Sequence, residues 1–521
     1  MENTYLHWID STIVVVSVLL AIVVGVWFSR KQKSTDAYFA ASGNVPAWAV
    51  GMSMFATIIS SVTFLAYPGY AYGGDWVLLV QGLMVPIVLV GMIGFIVPLY
   101  RKIIKLSTYE YFERRFGVFA RYYSSIAFLV EHFAKMAAII YLMASATEVF
   151  AGGLIDAQTI VLVIGVVVII LTYLGGMEAI IWMDVVQGFL LILGGIVAIA
   201  VLLMNINGGL GTVIEESSRQ NLINLGTEHW NLVETTFLVM VLNGFFYALQ
   251  KYGTDQSIVQ RYLTARSDKE AKKASFMGVF MSVPAWALFM FIGTCLFIFY
   301  QQNPTLLPAD IVNDKVFPEF IKTQMPIGIT GLIVAALVAG AISSIDSDVN
   351  CISAVVVEDY YGRMKKNATD KQKLRVGKIS VLVVGVLATY IATLYLKWGG
   401  QSVLGSLFAI YAIFSAGIVG VFILGLFSRR TNNQGLIIGI VASVLFTAYA
   451  VLTSTKFDMG NGKELLLDLG SWNFPHSTYM LGVYSHIVVL VVGYIASLFF
   501  KTPLADKELT IYGYTKEVKE N

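Results

Sequence analysis

Between Ile180 and Leu203 the chain runs for 24 residues with a single charged group, Asp184, and similar stretches recur from one end to the other. Ile13–Phe28, Val161–Leu174 and Ser380–Leu394 are three more. An α-helix needs about 20 apolar residues to cross the hydrocarbon core of a bilayer, and these runs approach or reach that length. A water-soluble fold of 521 residues could not hide them all in one core, because 57% of the sequence is hydrophobic, 13% is charged and the mean hydropathy is +0.74. The sequence therefore reads as an all-α integral membrane protein in contact with the lipid bilayer.

The apolar pattern gives about 13 spans, an extra first helix near 10–29 and twelve more near 47–69, 76–99, 122–149, 156–174, 179–204, 235–257, 271–301, 326–360, 375–396, 401–427, 434–454 and 479–500. Basic residues sort these spans by orientation. The segments on one side of the membrane hold 27 of the 35 Lys and Arg, those on the other side hold 6, and Lys135 and Lys251 lie within spans. This places the N-terminus outside and the C-terminus in the cytoplasm of a multi-pass cell (inner) membrane protein. Met1–Asp10 carries no basic residue ahead of the first apolar run, so that run is expected to stay in the mature protein.

The spans from 47 to 205 form one set of five and those from 235 to 427 another. Five is odd, so the second set must run upside down relative to the first, which is the inverted-repeat plan of many secondary transporters. The organisation expected is an N-terminal helix and cytoplasmic linker (1–46), a first repeat (47–205), an external loop (206–234), a second repeat (235–427), two C-terminal helices (428–500) and a cytoplasmic tail (501–521). In such folds the first helix of each repeat is broken near the midplane. The polar runs Thr57-Ile-Ile-Ser60-Ser61-Val-Thr63 and Gln250-Lys251-Tyr252-Gly253-Thr254-Asp255-Gln256 stand at the corresponding places.

Ionisable groups inside a membrane are costly and read as functional by default. Glu131, Lys135, Asp184, Lys251 and Asp346 qualify. Glu131 and Lys135, four apart, form a mutually neutralising pair in one reading, and Lys135 is a clamp for an anionic solute in the other. Asp184 follows Gly175-Gly176, so it is either a helix-start carboxylate or an ion ligand. The run Gly340-Ala-Ile-Ser343-Ser344-Ile-Asp346-Ser347-Asp348-Val-Asn350 places many oxygens in an otherwise apolar span, a set suited to a hard monovalent cation. Serines can instead bond back to their own helix.

A formal net charge of +2, with basic residues spread between spans, excludes nucleic acid as a partner. Cys295 and Cys351 fall inside spans and offer neither a disulfide framework nor a metal cage. His7, His132, His229, His476 and His486 are scattered, and no nucleophile–base pair stands out, which argues against an enzyme. No cofactor is expected beyond a coupling ion. A sensor with a signalling domain is the weaker rival, because about 20 residues follow the final span.

The motifs resemble those of the sodium/solute symporter family, whose members include bacterial sodium/galactose and sodium/sialic acid transporters and animal sodium/glucose cotransporters. The resemblance covers roughly residues 10–500. It rests on Gly175-Gly176 with Ile181-Trp-Met-Asp184-Val-Val-Gln187, on Asp255-Gln-Ser-Ile-Val-Gln260-Arg261-Tyr-Leu, and on the Ala335–Ser347 stretch. Phe55-Ala-Thr with Ser60-Ser61-Val-Thr63-Phe64, and the Gln-Gln-Asn-Pro-Thr-Leu-Leu-Pro loop at 301–308, are similar to the sialic acid branch.

The resemblance implies a LeuT-like transporter core of five-plus-five inverted repeats that imports a small polar organic solute with sodium by alternating access. It implies one sodium site at Ala56, Ile59, Gly340, Ser343 and Ser344, and a second at Asp184, Ser343, Asp346 and Ser347. It places solute contacts at Ser60, Thr63, Gln81, Lys135, Gln250 and Tyr252, although Tyr252 also reads as a packing aromatic. Several positions depart from the family pattern. Asp346 stands where the sialic acid branch has serine, Lys135 where it has arginine, and Gly82 where it has glutamine, with Gln81 displaced by one. Met281 and Phe408 replace the lysine and glutamine of sugar-specific members. With Glu131 near Lys135, the reading taken is a neutral sugar or polyol, with sialic acid or another carboxylate as the alternative, carried by a monomer. If Asp346 tightens the second sodium site or couples a proton, Asp346→Ser changes the ions moved per solute or the pH dependence of uptake, measured as flux ratios in proteoliposomes.

Overall fold

The computed structural model describes residues 6–29, 33–104, 106–309, 311–397, 417–458 and 463–513. Nearly all of this is helix, as a backbone without water to bond to requires. In chain order the long helices are α1 (Trp8–Ser29), α2 (Ala47–Ile58), α3 (Ser61–Tyr72), α4 (Val77–Ile103), α5 (Val118–Phe150), α6 (Ala157–Asn205), α7 (Phe237–Gly253), α8 (Gln256–Thr264), α9 (Asp268–Gln302), α10 (Ile329–Val355), α11 (Asp370–Lys397), α12 (Ile418–Phe427), α13 (Asn433–Ser454) and α14 (Met480–Ser497). Among the described residues eight helical segments are long and apolar enough to cross a membrane, and the α2–α3 pair, bent by 50°, passes the same test as one broken span. Every expected span has a helical counterpart, although for 401–427 the described part begins at residue 417.

Three local features depart from the expectation. The spans expected at 156–174 and 179–204 form one helical run of 49 residues, about 74 Å if straight, more than twice the thickness of a bilayer core. Gly176 resolves this. Its φ of 63° and ψ of −178° break the helix at a conformation that side-chain-bearing residues rarely adopt, so the run crosses as two pieces. The break expected across Gln250–Gln256 is narrow, with α7 ending at Gly253 and α8 starting at Gln256. Finally, a hairpin of β1 (Lys456–Asp458) and β2 (Lys463–Leu465) lies between α13 and α14.

The helices gather into two compact units. The first comprises Met1–Gly82, Phe133–Leu225 and Leu263–Leu404. In it α10 packs against α6, α2 and α3 against α9, and α1 against both α6 and α10. Outward rows such as Val15, Leu19, Leu20 and Val23 on α1, and Val383 and Val386 on α11, are exposed apolar faces of the kind that lipid covers. The second unit comprises Leu83–His132, Gly226–Tyr262 and Gly405–Asn521, with α13 and α14 packed together and α12 against α14.

Helix starts are set by side chains that accept from orphan N–H groups. Thr236 caps α7, Asn432 caps α13, and Ser267 caps α9 with Glu270 three residues on, the spacing of a capping box. The start of α10 is held from a distance. Buried Asp10, in the first turn of α1, accepts from Gly328 N and Gly331 N, each at 2.7 Å. The starts of α1 and α10 therefore lie together, and the carboxylate meets the positive end of the α10 dipole. Asp10→Ala strips the acceptor from two buried N–H groups. The expected loss is about 1–3 kcal/mol of unfolding free energy, read as a lower melting temperature in detergent, with Asp10→Asn losing less.

Candidate functional site

The first unit builds its polar centre from α2, α3, α5, α6 and α10. α2 ends at Ile58, Ile59 and Ser60 are extended, and the Ser60 hydroxyl caps α3 by accepting from Val62 N at 3.2 Å. Ile59 N still reaches Phe55 O at 2.9 Å. Because the helix stops here, the carbonyls of its last turn, Ala56 among them, lose the intrahelical donors that a further turn would supply. Ala56, Ile59, Ser60 and Thr63 are all buried.

Asp184 lies eight residues beyond the Gly176 hinge and has no exposed surface. It is a mid-helix carboxylate, so the helix-start reading does not hold. Its two oxygens take one hydroxyl each, from Ser53 of α2 to Oδ2 and from Ser343 of α10 to Oδ1. Ser343 thus points across to α6 and does not bond back to its own helix. Asp346 and Ser347, three and four residues on, share its side of α10 and are buried. The hydroxyls of Ser344 and Ser61 are fully buried and have no hydrogen-bond partner among the described residues. Orphan oxygens in a dry interior are expensive, and a cation is the ligand they suit. Gly340, one turn before Ser344, packs where a side chain would press on Leu191.

Lys135 of α5 pairs with Asp348 of α10, Nζ lying 3.0 Å from Oδ2 and 3.2 Å from Oδ1. Glu131, its partner in one of the two readings, has an Oε2 that accepts from Gln250 Nε2 at 2.9 Å in the second unit. Gln81 is buried beside Gly82. The space a side chain at 82 would need is filled by Trp286, since a Cβ there would lie 2.5 Å from its ring. Met281 is half-buried on α9, and Phe408 lies outside the described residues.

In the second unit the Asp255–Leu263 motif organises the α7–α8 break. Asp255 Oδ1 accepts from Ser257 N at 2.7 Å and Ser257 Oγ at 2.6 Å, capping α8. Lys251 bonds its Oδ2, and His132 Nε2 lies 3.4 Å from the same atom. Gln256 accepts from Thr108 N at 2.8 Å, and Arg261 donates to Ser257 O at 2.6 Å. Glu131, His132 and Asp255 bring ligand atoms within 4.8 Å of one another, but the Lys251 ammonium already supplies the cation that Asp255 needs. Gln250 is half-buried. Tyr252 is buried, with a hydroxyl that has no partner among the described residues. Ser53, Asp348 and the His132–Asp255 contact were not singled out from the sequence, because each gains meaning only from a partner over 100 residues away.

The sequence model of the sodium:solute symporter family matches residues 38–443, more than half of the chain. The chain belongs to that family. It is 36% identical over 498 residues to a sodium/sialic acid symporter of Aliivibrio fischeri, covering 95% of this chain and 94% of that one. To a sodium/sialic acid symporter of Proteus mirabilis it is 35% identical, covering 81% and 86%. The solved structure of a Na+-coupled sialic acid symporter, substrate-bound and outward-open, superposes with a TM-score of 0.85 at 32% identity, covering 96% of this chain and all of the other. The fold is therefore the LeuT-like inverted-repeat transporter fold, and the protein is a multi-pass, sodium-coupled symporter with Na+ as its coupling ion. The relatives favour sialic acid, the alternative, over the neutral sugar or polyol.

The Gly82–Trp286 contact gives a test of the packing beside Gln81. Gly82→Ala forces Trp286 to move and is expected to cost about 1–3 kcal/mol of stability, partly recovered by adding Trp286→Leu, with both read by thermal unfolding.

Proposed function

We propose that this chain imports sialic acid, or an acidic sugar closely like it, down an inward sodium gradient. The observation that carries the solute class is near end-to-end likeness to sodium/sialic acid symporters. For the ion, support comes from Asp184 bridging Ser53 and Ser343 beside the unpartnered Ser344 hydroxyl. One sodium is held by the carbonyls of Ala56, Ile59 and Gly340 with Ser343 and Ser344, and a second by Asp184, Ser343, Asp346 and Ser347. Ser60, Thr63, Gln81, Lys135, Gln250 and Tyr252 contact the solute. Sodium at α2 and α10 favours the outward-open state, the solute fills the adjoining cavity, and the two are released together inside.

The protein works as a monomer in the inner membrane, its N-terminus outside and C-terminus in the cytoplasm, as the distribution of basic residues supports. The domain boundaries are those drawn from the sequence, with repeats at 47–205 and 235–427, and the chain is a transporter with no catalytic role. A second reading has one specific observation in its favour. With Asp348 already neutralising Lys135, a neutral sugar or polyol would leave no charge unanswered.

Uptake by purified protein in proteoliposomes separates the readings. Labelled sialic acid is expected to accumulate with an inward sodium gradient and not with potassium, while a neutral hexose does not. Ser344→Ala is expected to raise the sodium concentration for half-maximal uptake about tenfold, with solute selectivity unchanged. Equal loss at every sodium concentration would remove Ser344 from the ion site.

A further inference from the structure

Lys251 and Asp255 face each other at the α7–α8 break in the second unit, with 11% and 3% of their side chains exposed. The two oxygens of Asp255 divide their work. Oδ1 accepts from Ser257 and fixes the start of α8, while Lys251 and His132 Nε2 converge on Oδ2. Glu131, next to His132 on α5, brings a further ligand atom, and the three lie within 4.8 Å of one another. Two carboxylates and an imidazole thus gather beside one ammonium. Three successive carbonyls at the break are each taken by a tyrosine hydroxyl. Tyr262 donates to Tyr252 O at 2.8 Å, Tyr100 to Gly253 O, and Tyr109 to Thr254 O at 3.4 Å. A cation at this break is therefore held by side chains.

In an inverted repeat the first helices of the two sets correspond, and so do the third helices. The broken pairs α2–α3 and α7–α8 begin the sets, and α5 and α10 stand third. The sodium site read at the α2–α3 break and α10 thereby has a counterpart at the α7–α8 break and α5, where Asp255, Glu131 and His132 lie. We propose that this counterpart is a cation site kept filled by the Lys251 ammonium, a tethered ion standing where the first repeat takes a free one, and that it accepts a small primary ammonium ion once the lysine is cut back. The likeness to the first repeat rests on the sodium-site reading given above, and the tethered site itself does not. Three N–H donors on one charged nitrogen suit carboxylate oxygens from two elements. The helix ends add to the fit, because the last turn of α7 favours a cation and the first turn of α8 an anion. With its ion built in, the α7–α8 break stays braced whether or not sodium is bound.

The test is thermal unfolding of the full-length protein in detergent, at constant ionic strength, with propylammonium or with tetramethylammonium, which has no N–H donor. Cutting Lys251 back to alanine removes three methylenes and the amine, the bulk of one propylammonium ion. Lys251→Ala is expected to melt about 5 °C below the wild type, because it leaves a buried carboxylate without its ammonium. Propylammonium should recover at least half of that loss along a saturable curve, tetramethylammonium should recover none, and neither should move the wild type. Lys251→Met combined with Asp255→Asn removes both charges, keeps an acceptor for the α8 cap, and should respond to neither ion. If Lys251→Ala cannot be purified alone, it should be recovered folded with propylammonium present from solubilisation onward, and failure of that recovery would overturn the proposal. So would melting of Lys251→Ala within about 1 °C of the wild type, equal responses to the two ions, or the same response to propylammonium in the wild type. If rescue holds while Ser344→Ala leaves the sodium dependence of uptake unchanged, the tethered site stands and only its likeness to the first repeat falls.

Discussion

Inside a bilayer no water answers a polar group, so each charge must be met by another part of the chain or by a ligand. Much of this structure follows from that constraint. Asp184 is met by two serines, one from α2 and one from α10, Lys135 by a carboxylate of α10, and Asp255 by a lysine one turn before it. The first two sets of contacts join helices far apart in sequence, and polar side chains also fix where the backbone breaks. The α7–α8 break is stabilised because Asp255 caps the helix that follows it, and the α2–α3 break because Ser60 does the same.

Where the chain's own groups do not complete the set, an ion is the natural remaining partner. On the face of α10 from Ser343 to Asp348 the Ser344 hydroxyl is left without a hydrogen-bond partner among the described residues. The residues before it are small and apolar, Ala335, Ala336, Ala339, Gly340 and Ala341, so the helix can come close to its neighbours. Asp184, which takes a hydroxyl from Ser53 of α2 and one from Ser343 of α10, ties these three helices together beside that hydroxyl.

The fold was largely legible in the sequence because apolar length and charge placement are local signals. The spans, the two polar interruptions and the odd-numbered repeat all follow from them. The Gly176 hinge was half legible, since Gly175-Gly176 separated two spans without showing that the helix runs on through the bend. Asp184 and the α10 serines were legible as buried polar residues, because they interrupt apolar runs. At Lys135 neither open reading named the partner that the structure shows. Sequence proximity favoured Glu131 four residues away, but the folded chain supplied Asp348, and spacing along one helix says nothing about which other helix faces it. Gly82 was read as a displaced match, and its physical reason, the Trp286 ring, lies over 200 residues along the chain.

The seat of Asp10 on the start of α10 has a consequence for biogenesis. The two are separated by 318 residues, and a ribosome adding about 5–20 residues per second needs roughly 16–64 s to make them. Until then α1 keeps a carboxylate whose final partners have not been synthesised. It must wait at the lipid surface or with the insertion machinery. A chain truncated before Gly328 can still lay α1 on α6 but leaves Asp10 without the two N–H groups that it accepts from in the complete unit.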